Sequence, residues 1–231
     1  MSAGGFFVTG TDTEIGKTLV SCILIRELVA AGKKVIGMKP VASGAQEIDG
    51  SLRNEDAMAL IDSANVDADY EQVNPYCFVP PVAPHLAAEQ AGVAIDIHTI
   101  ITNFTALTTI ADVVVVEGVG GWRVPLGSSF AVSDLAHRLG LPVIMVVGIR
   151  LGCINHAMLT AESIQANGCK LAGWVANVVD RDGLMTAENI ATLQGQLPVP
   201  MLASIPFLPP GQDTDLCNVF NIKTLEKHLD I

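Results

Sequence analysis

Short apolar runs alternate with amphipathic segments along the whole chain. Six runs predict strands, because each is short and is bounded by glycine, proline or polar residues. The predicted strands cover residues 6–9, 34–39, 113–117, 142–147, 171–177 and 200–205. Apolar residues at helical spacing predict helices over residues 19–28, 55–61, 95–110, 131–139, 153–166, 184–197 and 222–229. Small, polar or proline-rich residues predict loops over residues 40–44, 45–54, 74–84, 148–152 and 206–210.

The alternation of strands with helices determines the fold class that we expect. Such chains form parallel sheets with helices on both faces. The four consecutive valines from Val113 to Val116 agree with this arrangement, since a strand buried on both faces is apolar throughout. We predict a single doubly wound α/β domain over residues 1–231, with a mainly parallel sheet of about six strands.

A glycine-containing loop joins the first predicted strand to the first predicted helix. It runs from Gly10 to Thr18 with the sequence GTDTEIGKT. In such a loop the backbone N–H groups cradle phosphates, Lys17 brings an ammonium group to them, and the Thr18 hydroxyl can bind Mg²⁺. Five residues separate Gly10 from Gly16, one more than in the usual motif. A chance turn is the alternative, but the flanking strand and helix favour a phosphate-binding loop.

Lys39 and Glu117 each stand at the predicted carboxyl end of a strand. Ligands bind at that edge of an open parallel sheet, so we expect both side chains beside the phosphate loop. Glu117 would complete a Mg²⁺ site, for which Asp56 is a further candidate. The alternatives are a solvated lysine, an acid that merely ends a strand, and helix capping by Asn54 or Asp56. The combination predicts a P-loop NTPase-like enzyme that uses ATP and Mg²⁺.

The composition excludes several other classes of protein. Half of the 231 residues are hydrophobic and 16% are charged, which excludes a disordered chain. The net charge of −11 argues against a nucleic-acid surface or an anionic membrane as partner. Neither a signal sequence nor a membrane-spanning run is present in the sequence, so we expect a cytoplasmic protein. The cysteines fit no metal or disulfide pattern and predict reduced, mostly buried thiols at Cys22, Cys77, Cys153, Cys169 and Cys217.

Seven strings of the chain together resemble the dethiobiotin synthetase family. They are GTDTEIGKT (10–18), KPVASG (39–44), LRNEDA (52–57), VNPY (73–76), VEGVGGW (116–122), GCINHA (152–157) and GWVAN (173–177). The resemblance extends from residue 6 to about residue 208, and the longer phosphate loop is the form found in that family.

The resemblance implies a specific reaction, the ATP-dependent carboxylation and ring closure of 7,8-diaminopelargonate to dethiobiotin in biotin synthesis. One amine takes up CO₂ as a carbamate, and a carbamate oxygen attacks the γ-phosphate of ATP. The second amine then displaces phosphate from the mixed anhydride and closes the cyclic urea. Mg²⁺ is the implied cofactor.

The resemblance also implies roles for individual residues. Lys17 and Lys39 would be catalytic, and Thr18, Asp56 and Glu117 would hold Mg²⁺. Nucleotide contacts are implied at Asp12, Thr13, Glu14, Ile15, Gly16, Lys17, Thr18, Leu19, Asp56, Glu117, Gly118, Gly120, Asn177, Pro206, Phe207, Leu208 and Asp213. Substrate contacts are implied at Thr11, Ser43, Gly120, Gly152, Cys153 and Asn155.

The implied assembly is a homodimer with its active site at the subunit interface. In the family the neighbouring subunit's loop and helix N-terminus, residues 148–155 here, receive the substrate carboxylate. One position departs from the family pattern: Val178 follows Asn177 where several members have aspartate, and the nearest acid is Asp180. Because that carboxylate could read the base, its loss predicts that ATP is preferred but other triphosphates are tolerated.

Three rival functions fit parts of the sequence. A partitioning-type ATPase switch would share the fold, but it carries an early lysine in its phosphate loop where this chain has Asp12. A cobyrinate-type amide-forming enzyme would need a glutaminase domain, for which this chain has no room. A catalytically inactive binding protein would not require the lysines and acids that are present here.

Overall fold

The computed structural model describes residues 4–209, 216 and 218–227. Its first half contains β1 (Gly4–Gly10), α1 (Lys17–Ala30), β2 (Val35–Met38), β3 (Val41–Ser43), β4 (Gln46–Ile48), β5 (Ser51–Arg53), α2 (Glu55–Ser63), α3 (Tyr70–Val73), β6 (Tyr76–Phe78), α4 (Pro84–Gln90) and α5 (Ile97–Thr108). Its second half contains β7 (Val113–Glu117), α6 (Val132–Leu139), β8 (Val143–Ile149), α7 (Cys153–Ala166), β9 (Leu171–Val178), α8 (Thr186–Gln196), β10 (Met201–Ile205) and α9 (Ile222–Glu226).

A six-stranded parallel sheet forms the centre of the molecule, with the strand order β10-β9-β8-β1-β7-β2. The chain leaves β1 for the β2 edge, returns through β7 and then continues on the other side of β1. Strand order therefore reverses around β1, and in such sheets the crevice at the carboxyl ends beside the reversal is the usual ligand site. The predicted doubly wound α/β fold and its six parallel strands are confirmed.

Side chains of the central strands alternate between two hydrophobic cores. Phe6 and Val8 of β1 face one core, which α1 and α2 cover, whereas Phe7 faces the other, which α5 to α8 cover. The helices therefore lie on both faces of the sheet, as predicted. All five residues of β7 are buried, including Glu117, and this explains why the strand is apolar up to its last position.

The register of the sheet places the predicted functional groups side by side. Val8 of β1 is opposite Glu117 of β7, and Met38 of β2 is opposite Val116. Lys39, the residue after Met38, therefore leaves the sheet next to Glu117. The phosphate loop follows β1, which lies between β7 and β8 in the sheet. The loop, Lys39 and Glu117 are therefore at the same edge of the sheet.

The segments predicted as loops between residues 40 and 84 contain strands instead. β3 and β6 form a parallel pair, with Val41 opposite Tyr76, and β4 and β5 form an antiparallel hairpin. A strand of three residues has too little periodicity to be recognised, and the β3–β6 pairing joins segments that are remote in sequence. The hairpin did have a local signal, because Asp49-Gly50 is a typical hairpin turn and both residues have positive φ.

Most of the other element boundaries agree with the predictions to within two residues. The short helix α3 was not predicted, and β8 continues to Ile149, into the predicted loop 148–152. The last helix ends at Glu226 in the structure, and the end of its predicted range lies outside the described residues.

Candidate active site

The phosphate loop is fixed by a side-chain contact within the loop and by a backbone contact to the sheet. Lys17, which is 6% exposed, donates a hydrogen bond from Nζ to the carbonyl oxygen of Asp12 at 2.8 Å. The N–H of Thr11 donates to the carbonyl of Val146 in β8, which fixes the start of the loop to the sheet. Helix α1 begins at Lys17, within the loop, with no side-chain cap, so its first N–H groups remain available to an anion.

Gly16 is the point where the phosphate loop meets β9. It has a φ of 82° in the left-handed region, and the side chain of Asn177 donates from Nδ2 to the carbonyl of Ile15 at 2.8 Å. A Cβ atom at Gly16 would lie 2.2 Å from that Nδ2 atom. Asn177 therefore fixes the loop at Ile15 and Gly16, and only glycine fits at position 16. The resemblance implies a nucleotide contact for Asn177, and nothing in the local sequence indicates this second contact with the loop.

The predicted adenine segment leaves the sheet beside Asn177. Ile205, the last residue of β10, is opposite Asn177 in the parallel register. Pro206, Phe207 and Leu208 follow directly, and the first of them is exposed. The structure thus places the segment next to the phosphate loop, whereas the predicted ribose contact Asp213 lies outside the described residues.

A buried ionic cluster lies next to the loop. The Lys39 ammonium contacts Asp56 Oδ2 at 2.7 Å and Glu117 Oε1 at 2.6 Å, and the Thr18 hydroxyl donates to the same Glu117 oxygen at 2.9 Å. Lys39 is 3% exposed and Glu117 is fully buried. The structure therefore brings together four residues that were predicted from four separate strings of the sequence.

The pKa values of the two lysines are shifted in opposite directions. Burial is the largest influence on Lys17, followed by the nearby ammonium of Lys39, and together they lower its pKa to about 8. Burial also acts to lower the pKa of Lys39, but the carboxylates of Glu117 and Asp56 outweigh it and raise that pKa above its ordinary value. For Asp56, burial acts to raise the pKa, but the Lys39 ammonium outweighs it and the pKa is lowered. Lys39 and Asp56 are therefore an ion pair at neutral pH.

The oxygen atoms of this cluster fit a magnesium ion. Glu117 Oε2 is buried and has no hydrogen-bond partner among the described residues, and a buried carboxylate oxygen without a partner is costly. Thr18, Asp56 and Glu117 offer only hard oxygen ligands, and Mg²⁺ is typically held by one or two carboxylates together with substrate phosphates. No larger cluster of His, Cys, Asp or Glu able to hold a metal occurs in the part of the chain that the structure describes.

The glycine-rich segment after β7 lines the other side of the phosphate loop. The carbonyl of Gly118 is 3.4 Å from Lys39 Nζ, and a Cβ atom at Gly120 would lie 3.6 Å from the Thr13 hydroxyl. A cleft of ≈ 450 Å³ opens there, lined by residues of this segment, of the loop and of α7. Thr11, a predicted substrate residue, is part of its wall.

The remaining predicted substrate residues lie in two places. Ser43 ends β3 near the cluster, and its buried hydroxyl has no hydrogen-bond partner within the described residues. Gly152 and Asn155 are exposed at the start of α7, whereas the Cys153 side chain is buried in the core. The backbone N–H of Cys153 donates to the carbonyl of Arg150 at 3.0 Å, so neither the thiol nor the N–H of this residue is open to a ligand.

Arg150 is a residue near the site that sequence reasoning missed. Its guanidinium forms an ion pair with the Asp12 carboxylate of the phosphate loop. The only available signal was its position just after a strand that neighbours β1. Nothing in the local sequence indicated that it reaches Asp12, which is remote along the chain.

The thiols are less buried than the sequence suggested. Among the described residues, all four cysteines are free: Cys22 and Cys153 are buried, and Cys77 and Cys169 are partly exposed. Cys217 lies outside the described residues. Within the described ranges, none of the helices is both long enough and apolar enough to cross a membrane.

Comparison with known sequences finds a matching family model and named relatives. A family model described as "AAA domain" matches residues 4–213. The protein named ATP-dependent dethiobiotin synthetase BioD in Aromatoleum aromaticum is 51% identical over 201 residues, which are 87% of this chain and 89% of that protein. The protein of the same name in Xylella fastidiosa (strain Temecula1) is 47% identical over 211 residues, which are 91% of this chain and 93% of that protein.

Solved structures of other proteins share the fold. The MinC:MinD cell division complex of Aquifex aeolicus aligns with a TM-score of 0.58 and 16% identity, covering 90% of this chain and 83% of that chain. MinD of Pyrococcus horikoshii, solved with Mg-ADP, aligns with a TM-score of 0.52 and 16% identity, covering 89% and 82%. Likeness at this level of identity concerns the fold alone, so it does not favour a switch ATPase over an enzyme.

Proposed function

The chain belongs to the ATP-dependent dethiobiotin synthetase family, and on this premise we propose that it converts 7,8-diaminopelargonate, CO₂ and ATP into dethiobiotin, ADP and phosphate. The observation that carries the proposal is the cluster of Lys17, Thr18, Lys39 and Glu117 beside the phosphate loop. Such a cluster can stabilise a transferring phosphoryl group, because its charges are already in position before the reaction begins. The reaction consumes ATP, and we propose that the protein acts in the cytoplasm.

Different residues would bind ATP, stabilise the developing charge and hold the substrate. The phosphate loop and the N-terminus of α1 would bind the phosphates of ATP, with Lys17 on the terminal groups. Lys39 would stabilise the negative charge that develops when a carbamate oxygen attacks the γ-phosphorus and ADP leaves. Ser43 and Thr11 would hold the carbamate and amine end of the substrate. The second amine then attacks the carbamate carbon, and phosphate leaves as the ring closes.

We propose that Thr18, Asp56 and Glu117 hold Mg²⁺. A bound Mg²⁺ would neutralise negative charge on the phosphates. The chain contributes the buried Glu117 Oε2 atom, which has no partner among the described residues, and the hydroxyl of Thr18, which donates to the other oxygen of the same carboxylate. Asp56 is partly exposed and is already held by Lys39, so its oxygen is positioned at the mouth of the site.

Replacing Glu117 by glutamine tests this assignment. The change keeps the size of the side chain but removes its charge, and hard cations prefer carboxylate oxygens. We expect the Mg²⁺ concentration for half-maximal activity to rise about tenfold, measured by titrating Mg²⁺ at fixed ATP. The control is Glu71→Gln, because Glu71 is exposed and its ion pair with Arg53 spans 3.7 Å at the surface. A Mg²⁺ titration identical to that of the unchanged protein would leave Glu117 as a strand-end acid only.

We propose that two copies of the chain form the working enzyme. The exposed Gly152 and Asn155 lie at the N-terminus of α7, where backbone N–H groups can bind a substrate carboxylate. Leu151, beside them, is fully exposed, and Leu159 on the same helix is 58% exposed. A second copy would cover these apolar side chains and bring its α7 N-terminus to the substrate cleft.

Nucleotide selectivity depends on the segment after β9. Asn177 has one amide hydrogen committed to the phosphate loop, and Val178 and Val179 follow with apolar side chains. With no carboxylate directly after Asn177 to pair with the base edge, we expect ATP to be preferred while GTP and CTP still support turnover. Steady-state rates with each triphosphate at equal Mg²⁺ test this. An ATP-to-GTP ratio typical of a strictly ATP-dependent enzyme would contradict it.

The proposed reaction is tested directly by product analysis. Purified protein is incubated with ATP, Mg²⁺, bicarbonate and 7,8-diaminopelargonate, and dethiobiotin is sought by mass spectrometry while phosphate is measured. We expect equal amounts of both products, and neither when the diamine is left out. Phosphate without dethiobiotin would mean that the ATP site works on a different acceptor.

A further inference from the structure

The Tyr70 hydroxyl lies at the centre of a hydrogen-bond network below the proposed catalytic groups. It accepts from the backbone N–H of Asn54 at 2.8 Å and donates to Asn74 Oδ1 at 2.9 Å. Since its only proton goes to Asn74, the Cys77 thiol, at 3.6 Å, is the donor in the third contact. The guanidinium of Arg53 lies 4.0 Å above the ring centre and holds its plane.

One arm of this network leads to Lys39. Asn74 is 3% exposed, and its Nδ2 donates to the carbonyl oxygen of Lys39 at 2.6 Å. The N–H of Lys39 in turn donates to the carbonyl of Val73, the last residue of α3. Both backbone polar groups of the catalytic lysine are therefore held by the segment that starts at Tyr70.

The other arm leads to Asp56 and Ser43. Asn54 is 6% exposed and caps α2, with Oδ1 accepting from the N–H of Ala57 at 3.2 Å. This cap determines where the first turn of α2 begins and therefore where Asp56 stands. The Nδ2 atom of the same side chain donates to the carbonyl of Ser43 at 3.3 Å.

We propose that Tyr70 is a positioning residue for the reaction. Its hydroxyl fixes the positions of Lys39, Asp56 and Ser43 relative to one another, and it does so through Asn74 and Asn54. It touches none of the reacting groups and acts only through these two asparagines. The three held residues come from two separate strings of the chain, and in the described residues the hydroxyl is the one atom that both arms share. The proposal rests on the proposed function for the identity of the reaction.

The physical effect of losing the hydroxyl follows from the two arms. Phenylalanine keeps the ring and its contact with Arg53, but it leaves the Asn54 N–H and Asn74 Oδ1 without their partner. Buried polar groups that lose their partners move to regain one. Movement of either asparagine would shift Lys39 or Asp56, and a shift of about 1 Å can lower a rate by about 10²-fold.

The test compares Tyr70→Phe with Tyr76→Phe, the same chemical change nearby. The hydroxyl of Tyr76 accepts a hydrogen bond from the N–H of Asp96 at 2.9 Å, away from the cluster around Lys39. We expect Tyr70→Phe to lower kcat for dethiobiotin formation on the order of tenfold. At saturating Mg²⁺ the KM for ATP should stay unchanged, because the phosphate loop is outside the network. Tyr76→Phe should keep the kcat of the unchanged protein. A kcat for Tyr70→Phe equal to that of Tyr76→Phe would overturn the proposal, even if its melting temperature falls.

A binding measurement separates this inference from the identity of the reaction. Binding of a non-hydrolysable ATP analogue is measured by calorimetry over a range of Mg²⁺ concentrations. If Asp56 moves, Tyr70→Phe needs several-fold more Mg²⁺ than Tyr76→Phe for the same affinity, whether or not dethiobiotin is the product. Failure of the unchanged protein to form dethiobiotin would count against the proposed function alone. An identical Mg²⁺ dependence in both variants would count against the role of Tyr70.

A second variant keeps the test decisive if Tyr70→Phe does not fold. Asn54→Ser retains a helix-capping oxygen and the backbone N–H, but it loses the Nδ2 atom that reaches Ser43. We expect the KM for the diamine to rise several-fold while the KM for ATP stays unchanged. Unchanged values for both would show that this arm does not position the substrate end of the site.

Discussion

Replacement of Lys39 by alanine is expected to lower kcat for dethiobiotin formation on the order of 10²-fold or more. The ammonium is 3% exposed and lies 2.6 Å from Glu117 and 2.7 Å from Asp56, so its charge is in position before ATP arrives. A fixed charge in a site that excludes water stabilises a developing anion by several kcal/mol. Steady-state kinetics at saturating ATP, Mg²⁺ and diamine give the measurement.

The matched control for this change is Lys33→Ala. Lys33 is also a lysine with an acidic partner, but its ion pair with Glu226 spans 3.9 Å at the surface, so its removal should leave kcat unchanged. Removing Lys39 also leaves the buried Glu117 without its cation, which lowers the free energy of unfolding by about 3–5 kcal/mol. Circular dichroism and thermal melting therefore accompany the kinetics. A folded Lys39→Ala protein with near-normal turnover would remove Lys39 from the chemistry.

Gly16→Ala is expected to weaken ATP binding on the order of 10²-fold. Two effects act together: φ is 82°, and the new Cβ would stand 2.2 Å from Asn177 Nδ2. Either the loop at Ile15 and Gly16 or the side chain of Asn177 must move, and each movement breaks the hydrogen bond between Asn177 and Ile15. Calorimetric titration with a non-hydrolysable ATP analogue measures the loss.

Gly92→Ala is the control for Gly16→Ala, because it places alanine at a positive φ without a steric clash. Gly92 also has a positive φ, of 65°, but no atom lies within 4 Å of an added Cβ. Its replacement should cost about 1 kcal/mol of folding free energy and leave ATP affinity unchanged. Equal affinities in the two variants would show that the contact between Gly16 and Asn177 is not needed to hold the phosphates.

The parts of the site that the sequence predicted are those defined by local pattern. The string from Gly10 to Thr18 follows an apolar strand and precedes a helix, and each of these features is visible within about twenty residues. Glu117 and Lys39 were found because they end apolar runs, and strand ends in a parallel sheet share one edge. The confirmed sheet and the cluster of Thr18, Lys39 and Glu117 follow from these signals.

The parts that the sequence did not predict depend on partners that are far apart in the chain. β3 and β6 are three residues each, and they pair with one another although they are remote in sequence. Arg150 reaches Asp12, and Asn177 reaches Ile15, across more than a hundred residues. No local propensity or spacing encodes such contacts, because they depend on strand order, register and side-chain direction at once.

The sequence by itself determined the fold class and the identity of the charged groups of the site. Hydrophobic periodicity sets which segments become strands and helices, and their alternation leads to a parallel sheet with one ligand-binding edge. The tertiary structure alone decided how those groups are coupled. It sets the Lys39 ammonium between Asp56 and Glu117, leaves Glu117 Oε2 without a partner among the described residues, and sets the Tyr70 hydroxyl between Asn54 and Asn74. Periodicity specifies only which face of an element a residue occupies, whereas a hydrogen bond requires two atoms about 3 Å apart, and only the packed chain fixes that distance.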